Sequence, residues 1–342
     1  MRLRVHPMRP ADVNRCLGLA ARIPEVLRRH GPLFEKMPSA WLKVMREGFL
    51  NSSVIEDMEG STPKVVAWGA SVFVTDDFLQ SLKSAPMGWI EPELTRQVLE
   101  GRTGILSLEE IRKANSTDGL NNVVWGGIGI APNPSEQTLL NLEILRAFER
   151  DHLGYRFKEL VFQPVGLEPI HMSLKWGARF WNAERGEYFV PDPPPNEDQI
   201  SQPFLMGFTR EFTRQEAGSW VSALFLYSPP KMHFRPAEQR VLLAALRGLT
   251  DSELSDELMI SLSAVKKAWL AIYDRAAQAI PGEFGENGNS QINSKRGKEK
   301  KQRLLAHLRG RMEELRPVLP PGGRGTPVRQ STSRSQRETS GE

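Results

Sequence analysis

Five side chains in the last third of the chain have the chemistry to bind phosphate groups. They are Thr250, Ser261, Ser263, Lys266 and Lys267. Hydroxyl groups donate hydrogen bonds to phosphate oxygens, and two adjacent ammonium groups suit phosphates or guanine edges. Free backbone N–H groups at the start of a helix bind phosphate as well. The chemistry that this spacing indicates is noncovalent recognition of a polyanion.

Three short predicted helices position these side chains. Pro236 suits the first turn of the first helix, and Gly248 suits its left-handed end. Thr250 begins the second helix with a capping box, and Ser261 is a good N-cap for a third helix over 262–275. Apolar residues at spacings of three and four give each helix an inward face: Leu242, Ala245, Leu246, Leu254, Leu258, Val265, Trp269 and Ile272. The pattern predicts a helix-turn-helix bundle whose third helix presents its serine and lysine side chains outward.

The stretch FRPAEQRVLLAALRGLTDSELSDELMISLSAVKKAWLAIYDR resembles the LuxR-type helix-turn-helix of bacterial transcription regulators. The family pattern runs P-x-E, V-L, G-[LMT]-[ST], E-[IL]-[AS], L-x-[IL]-S, V-K and I-Y, and this chain supplies every part in order. It departs at Ala264, where the family often has threonine, and at Ala268, where the family often has histidine. The resemblance implies that helix 262–275 enters the major groove of double-stranded DNA. It also implies a homodimer that binds two half-sites.

An α+β unit is predicted over residues 1–190. Buried strands are expected at 64–74 and 121–131, and a helix at 135–151. The order of elements, with RPADV near the start and SLKWGARF before the last strand, resembles the GNAT acetyltransferase fold. The sequence therefore predicts a GNAT-like mixed sheet with flanking helices, followed by the all-α helix-turn-helix bundle.

The residues that a GNAT enzyme uses are missing from this predicted unit. Active members of the family cradle the cofactor pyrophosphate on a glycine-bearing loop, but the corresponding stretch here reads PNPSEQTLL. Pro132 and Pro134 lack the N–H groups that such a cradle needs. Ser173 stands where the family often has a tyrosine acid. We expect a degenerate domain that senses a signal or dimerises, with no enzymatic activity and no cofactor.

The remaining segments divide the chain further. The proline-dense PDPPPNEDQ predicts a domain boundary at 191, followed by a linker and connecting elements over 191–233, with a helix or strand pair at 203–227, and the DNA-binding domain over 234–280. Residues 281–342 carry 13 lysines and arginines against 7 acidic residues. This tail is predicted to be mostly disordered, with a helix near 301–316 that either forms a dimer interface or packs on the bundle.

Composition indicates an ordinary soluble protein in the cytoplasm. Hydrophobic residues make up 39% and charged residues 25% of the chain, and Cys16 is its single cysteine. No apolar run suggests a signal peptide or a membrane span. The six histidines show no metal-binding spacing, so no metal site is expected. Four tryptophans, Trp68, Trp125, Trp176 and Trp181, are candidates for lining a small-molecule pocket, although tryptophans at strand and helix spacing are more often core residues.

Two other functions stay open. Residues 234–280 carry six basic and six acidic side chains, a balance that gives little general attraction to DNA. This balance favours an adaptor that binds another protein. The second alternative is an acyl-CoA-dependent N-acetyltransferase fused to the helix-turn-helix.

Overall fold

The computed structural model describes residues 1–47, 50–102, 104–215, 219–285 and 294–319. Over these ranges the chain is a mixed α/β structure with two main hydrophobic cores and a small third cluster around Ile55, Ala67 and Leu140. The larger core draws its buried side chains from between Met8 and Phe225, and the smaller one from between Met232 and Leu315. None of the described helices combines the length and the apolar character needed to cross a membrane.

A single sheet of eight strands organises the first unit. In chain order its strands are β1 (Leu3–Pro7), β2 (Asn51–Asp57), β3 (Lys64–Val74), β4 (Leu120–Gly129), β5 (Phe157–Phe162), β6 (Arg179–Asn182), β7 (Glu187–Phe189) and β8 (Met206–Thr209). They lie side by side in the order β1-β2-β3-β4-β5-β8-β6-β7. Only the β4–β5 pair is parallel, and its register ends at Val123 opposite Val161. The two central strands therefore diverge over the second half of β4.

Helices cover both the sheet and the region after it. In chain order they are α1 (Val13–Ala20), α2 (Pro24–His30), α3 (Met37–Glu47), α4 (Asp76–Lys83), α5 (Ile90–Glu100), α6 (Leu108–Ser116), α7 (Pro134–His152), α8 (Leu167–Lys175), α9 (Glu197–Ile200), α10 (Arg210–Gln215), α11 (Trp220–Phe225), α12 (Pro236–Leu246), α13 (Asp251–Leu258), α14 (Leu262–Ala279), α15 (Pro281–Phe284) and α16 (Ser294–Arg309). Three short 3-10 segments add Pro10–Asp12, Gly31–Lys36 and Met312–Leu315.

The structure places the connecting elements predicted within 191–233 in the first unit, so the sheet continues past the predicted boundary at 191. β8 lies inside that range, yet it pairs with β5 on one side and β6 on the other. Phe204, Leu205 and Phe208 are buried in the larger core, as are Val221 and Leu224 of α11. The proline-dense stretch is a surface excursion, after which the chain returns to complete the sheet.

The predicted helix near 301–316 was correct in kind and wrong in extent. α16 ends at Arg309, Gly310 follows, and the 3-10 segment Met312–Leu315 completes the stripe. Leu304, Leu308 and Leu315 are buried in the smaller core, so the stripe packs on the bundle and is not free to form a dimer interface. Most of the tail predicted to be disordered, residues 286–293 and 320–342, lies outside the described residues.

One arginine joins the two units. The guanidinium of Arg316 donates hydrogen bonds from Nε to the carbonyl of Leu153 at 2.7 Å and from Nη2 to the carbonyl of Arg150 at 2.6 Å. It also lies 4.6 Å from the ring centre of Tyr155. On the other side, the amide of Gln239 on α12 donates to the carbonyl of Arg316 at 2.9 Å. The segment after α16 therefore holds α7 and α12 together.

Candidate nucleic-acid interface

Capping interactions set the bounds of the three helices that carry the predicted contact residues. The backbone N–H of Arg235 donates to the Glu238 carboxylate at 2.7 Å where α12 begins, and Gly248 follows its end with φ +89°. Thr250 accepts from the N–H of Glu253 and donates its hydroxyl to the Glu253 carboxylate at 2.8 Å. The N–H of Thr250 also binds this carboxylate and holds the pKa of Glu253 below its usual value. The predicted capping box is thus present at the start of α13.

A three-residue turn joins α13 to α14. Met259 takes the left-handed conformation with φ 53°, and the hydroxyl of Ser255 donates to the carbonyl of Ile260 at 2.5 Å. Ser261 then caps α14 by accepting from the N–H of Ala264 at 3.1 Å. The left-handed conformation is unfavourable for a residue other than glycine, and the hydrogen bond from Ser255 to Ile260 stabilises the turn that contains Met259.

The predicted inward residues of α14 are buried, and the predicted contact residues are exposed. Val265, Trp269 and Ile272 are all at most 5% exposed. At the start of the helix and along its opposite face the exposed side chains are Ser261, Leu262, Ser263, Lys266, Lys267 and Leu270. Thr250 is exposed as well, at the start of α13. The structure therefore gathers four of the five predicted residues on the first two turns of α14. It places the fifth, Thr250, at the start of the neighbouring helix α13.

The two lysines carry positive charge that the protein leaves unpaired. Neither Lys266 nor Lys267 forms an ion pair with any described residue, whereas the nearby cations Arg247 and Arg275 bind Glu257 at 2.6 Å and Glu238 at 2.8 Å. The bundle is neutral in formal charge, but two of its unpaired cations lie next to each other on the outer face of α14. A polyanion that approaches α14 meets both ammonium groups without displacing an internal partner.

The first unit contacts the bundle away from this face. Arg9 forms an ion pair with Glu257 at 3.0 Å, and Arg316 fastens the segment after α16 to the end of α7. These contacts involve α13 and the far side of α12. They leave the outer face of α14 open to solvent.

No family model matches this chain, and no curated protein matches it. Among solved structures it is similar to the C-terminal condensation domain of Ebony in complex with beta-alanyl-dopamine. The two sequences are 11% identical, the TM-score is 0.34, and the alignment covers 61% of this chain and 99% of that one. A likeness this low carries no functional conclusion, so function has to be inferred from the geometry of the chain itself.

Sequence reasoning missed three exposed apolar side chains on the same surface. Met259 is 84% exposed, Leu262 is 43% exposed and Leu270 is 64% exposed. The helical spacing of Leu262 and Leu270 already separates them from the inward residues, so the pattern could have shown this. The surface therefore combines two cations with an apolar component.

The four tryptophans do not form a shared pocket. Trp125 is fully buried, Trp176 packs edge-on against Trp220, and Trp181 donates to the carbonyl of Lys83. Trp68 lines a cavity beneath α7. Core packing thus accounts for the other three.

The structure brings together one set of potential metal ligands that the sequence did not indicate. His6, Asp12 and Glu56 place one ligand atom each within 4.8 Å of one another. Arg4 and Arg15 both form ion pairs with Glu56. Two guanidinium groups at the same carboxylate already neutralise it and would repel a cation, so the cluster fits a salt-bridge network.

Proposed function

We propose that the chain is a DNA-binding transcription regulator that reads the major groove with α14. The observation that carries the proposal is the outward face of α14, where Ser261, Ser263, Lys266 and Lys267 are exposed and the two lysines have no ion-pair partner among the described residues. In a helix-turn-helix the N-terminal residues of the second helix of the motif contact bases and phosphates. The short turn between α13 and α14 and the LuxR-type sequence pattern support the same assignment.

We infer that the first unit is a degenerate GNAT-like domain that serves as a sensor. The parallel β4–β5 pair at the centre of an otherwise antiparallel sheet supports this, as does the divergence of these strands beyond Val123. In this proposal the regulator acts in the cytoplasm, as a homodimer on two half-sites.

An acetyltransferase is disfavoured because polar side chains beside the diverging strands already bind other parts of the protein. The side chain of Gln163 follows β5 and accepts from the N–H of Ile90 at 2.6 Å, while its amide donates to the carbonyl of Gly88 at 3.0 Å. The carboxylate of Glu91 lies against β4, since a Cβ on Gly126 would come within 2.7 Å of it. Beside the gap, Asn133 caps α7 and Pro134 begins it, so the loop offers few free N–H groups.

A protein-binding adaptor is the second candidate. It is favoured by the exposed Met259, Leu262 and Leu270, which form an apolar surface beside the lysines. An adaptor and a DNA reader make opposite predictions about salt, because phosphate neutralisation releases counterions and apolar contact does not.

The test is the binding of the full-length protein to mixed-sequence duplex DNA, measured by fluorescence anisotropy over a range of salt concentrations. We expect the double variant K266A/K267A to bind more weakly. The slope of log affinity against log salt should fall by about 2, because each lysine neutralises about one phosphate. Both side chains are exposed, so the helical circular dichroism should not change.

The matched control is K113A/K175A, which removes two exposed lysines from the first unit. Equal loss of affinity in both double variants would place the DNA surface elsewhere. No DNA binding by the folded wild-type protein at low salt would reject the reader and leave the adaptor.

A further inference from the structure

Two hollows meet at the end of α7. The first is a cavity of about 240 Å³ between this helix and strands β2, β3 and β4. The second is a cleft of about 650 Å³ between α7, α12 and the segment after α16. Asn51, Ser52 and Asp151 line both, so the cavity and the cleft adjoin.

The cavity exists because side chains are missing on the face of the sheet under α7. Gly69 of β3 and Gly127 of β4 are register partners there, and Ala147 is the residue of α7 with the smallest side chain in the lining. A Cβ on Gly69 would meet no atom within 4 Å. Ile55, Ile144 and Phe148 complete a mostly apolar wall. A dry apolar cavity of 150 Å³ is known to bind benzene, so this one has room for a single ring or a short alkyl chain.

The cleft is strongly cationic. Six arginines line it, against two carboxylates: Arg146, Arg150, Arg240, Arg247, Arg309 and Arg316. Among the described residues, Arg240 and Arg309 have no ion-pair or hydrogen-bond partner. Arg316 is 5% exposed and is bound only by carbonyl oxygens and a ring, which leave its charge unneutralised. Uncompensated guanidinium groups favour carboxylate and phosphate ligands.

A guanidinium also stands at the junction of the two hollows. Nη2 of Arg150 donates to the hydroxyl of Ser53 at 3.3 Å, and Ser53 lines the cavity. The Asp151 carboxylate at the same place accepts from the Ser53 hydroxyl at 2.5 Å and from Nε of Arg150 at 3.2 Å. The one acidic group that both hollows share is therefore already bound by Arg150 and Ser53, whereas Arg240 and Arg309 remain available.

We infer that the cavity and the cleft form one binding site for a small organic anion. Its apolar body, an aromatic ring or a short alkyl chain, occupies the cavity beneath α7. Its carboxylate lies in the cleft, where Arg240, which has no partner among the described residues, binds it. The inference rests on the proposed function only in treating this ligand as the signal. α7 forms a wall of both hollows, and its last carbonyls bind Arg316, so the ligand acts on the element that joins the sheet to the bundle.

The test is calorimetry with the full-length protein and four probes, in the absence of DNA. 3-Phenylpropionate carries both the apolar body and the negative charge. 3-Phenylpropanol lacks the charge, acetate lacks the apolar body, and phenyl phosphate carries a phosphate in place of the carboxylate. We expect 3-phenylpropionate to bind at least about tenfold more tightly than the alcohol, since a charge-assisted hydrogen bond accounts for about that factor. Acetate should give no measurable heat. Tighter binding of phenyl phosphate than of the carboxylate would overturn the assignment of a carboxylate ligand.

Variants of the two hollows separate their contributions. G69V and the milder G69A fill the cavity from a position with free space, so both should fold and should weaken 3-phenylpropionate in that order. R240Q should weaken it about tenfold and leave the alcohol unaffected. The matched control is R22Q, because Arg22 is exposed and lies outside both hollows.

Equal affinity for 3-phenylpropionate and 3-phenylpropanol would show that the cleft is not part of the binding site. Unchanged binding by folded G69V would remove the cavity, and either result overturns the inference. So does the absence of heat with every probe. DNA affinity is measured separately on the same samples, so a protein that binds the acid and no DNA keeps the site and loses the proposed function.

Discussion

Ser71 and His152 form a buried hydrogen-bonded pair at the polar end of the cavity. Nδ1 of the ring donates to the carbonyl of Phe148 at 2.7 Å, so Nε2 is the acceptor for the Ser71 hydroxyl at 2.7 Å. Asn122 donates its amide to the same hydroxyl at 3.2 Å. Burial lowers the pKa of His152 to about 4. The ring is therefore neutral in the folded protein at neutral pH.

We predict that this histidine makes the protein less stable in mild acid. An unfolded histidine takes up a proton near pH 6.5, whereas the folded ring does so only near pH 4. The unfolded state binds more protons between these values, so the free energy of unfolding falls as pH decreases through this window, by up to about 3 kcal/mol. Urea denaturation at pH 7 and pH 4.5 should show a smaller drop for H152Q than for wild type. H171Q is the control, and an equal drop in H152Q would exclude His152 as the cause.

At the scale of single residues, the sequence predicted the features that depend on neighbouring positions in the chain. Lys266 and Lys267 are exposed as expected because a helical period fixes which residues share a face. The pairing of Ser71 with His152 could not be predicted, since 81 positions separate them and only the packing of α7 on β3 brings them together. A signal for the cavity was nevertheless present. Glycines in both the β3 and β4 segments indicate missing side chains on a sheet face.

Among the secondary-structure elements, the stability of α14 depends on the packing of Trp269 more than on its capping residues. The indole is 5% exposed, donates from Nε1 to Asp251 of α13 at 3.2 Å, and lies 4.6 Å from the ammonium of Lys301 on α16. It therefore joins α14 to α13 through a hydrogen bond and to α16 through a cation–π interaction, while most of its ring is buried by packing.

We predict that W269A lowers the free energy of unfolding by roughly 3–5 kcal/mol, because it leaves a large cavity in a small core. W269F keeps most of the packing and loses the hydrogen bond, so it should cost about 1 kcal/mol beyond the smaller ring volume. Chemical denaturation followed by helical circular dichroism measures both. L270A, which truncates an exposed neighbour, should change stability by less than about 0.5 kcal/mol. A similar loss in W269A and L270A would contradict the packing observed around α14.

Elements with strong local signals were predictable, and those defined by pairing were not. β3 and β4 are long apolar runs, and the helices between 236 and 279 carry their own caps, so the sequence located all of them. β8 has only four residues and follows a proline-dense stretch, so nothing local marks it as a strand. It is a strand because β5 and β6 offer it hydrogen-bond partners on both sides. The sheet order has the same origin in contacts distant in sequence.

For the molecule as a whole, Arg316 is a residue that joins the two units through hydrogen bonds on both sides. Its guanidinium binds two carbonyls at the end of α7, and its own carbonyl accepts from Gln239 of α12. Glu314 supports the segment by accepting from the backbone N–H groups of Lys231 and Met232. These contacts couple the two hydrophobic cores through one short stretch of chain.

We predict that R316Q uncouples the units. Calorimetric unfolding of the wild type should show one transition, and the variant should show two, because a buried cation that bonds to two carbonyls is lost. The control is R311A, which removes an exposed arginine from the same segment and should preserve the single transition. A single transition in R316Q at an unchanged temperature would mean that Arg9–Glu257 and the remaining contacts suffice for coupling.

The position of Arg316 along the chain also has a consequence for synthesis. Domains fold as units while the ribosome extends the chain at about 5–20 residues per second, beginning with the N-terminal one. The sheet is complete by Thr209 and helices α12 to α14 by Ala279, yet the hydrogen bonds that Arg316 makes between the two units come later in the chain. Until residue 316 emerges, a nascent chain thus carries the sheet and the bundle without the hydrogen bonds of Arg316 between them. An arrest or frameshift shortly before residue 316 would release a protein in which both units fold but the hydrogen bonds of Arg316 between them are missing.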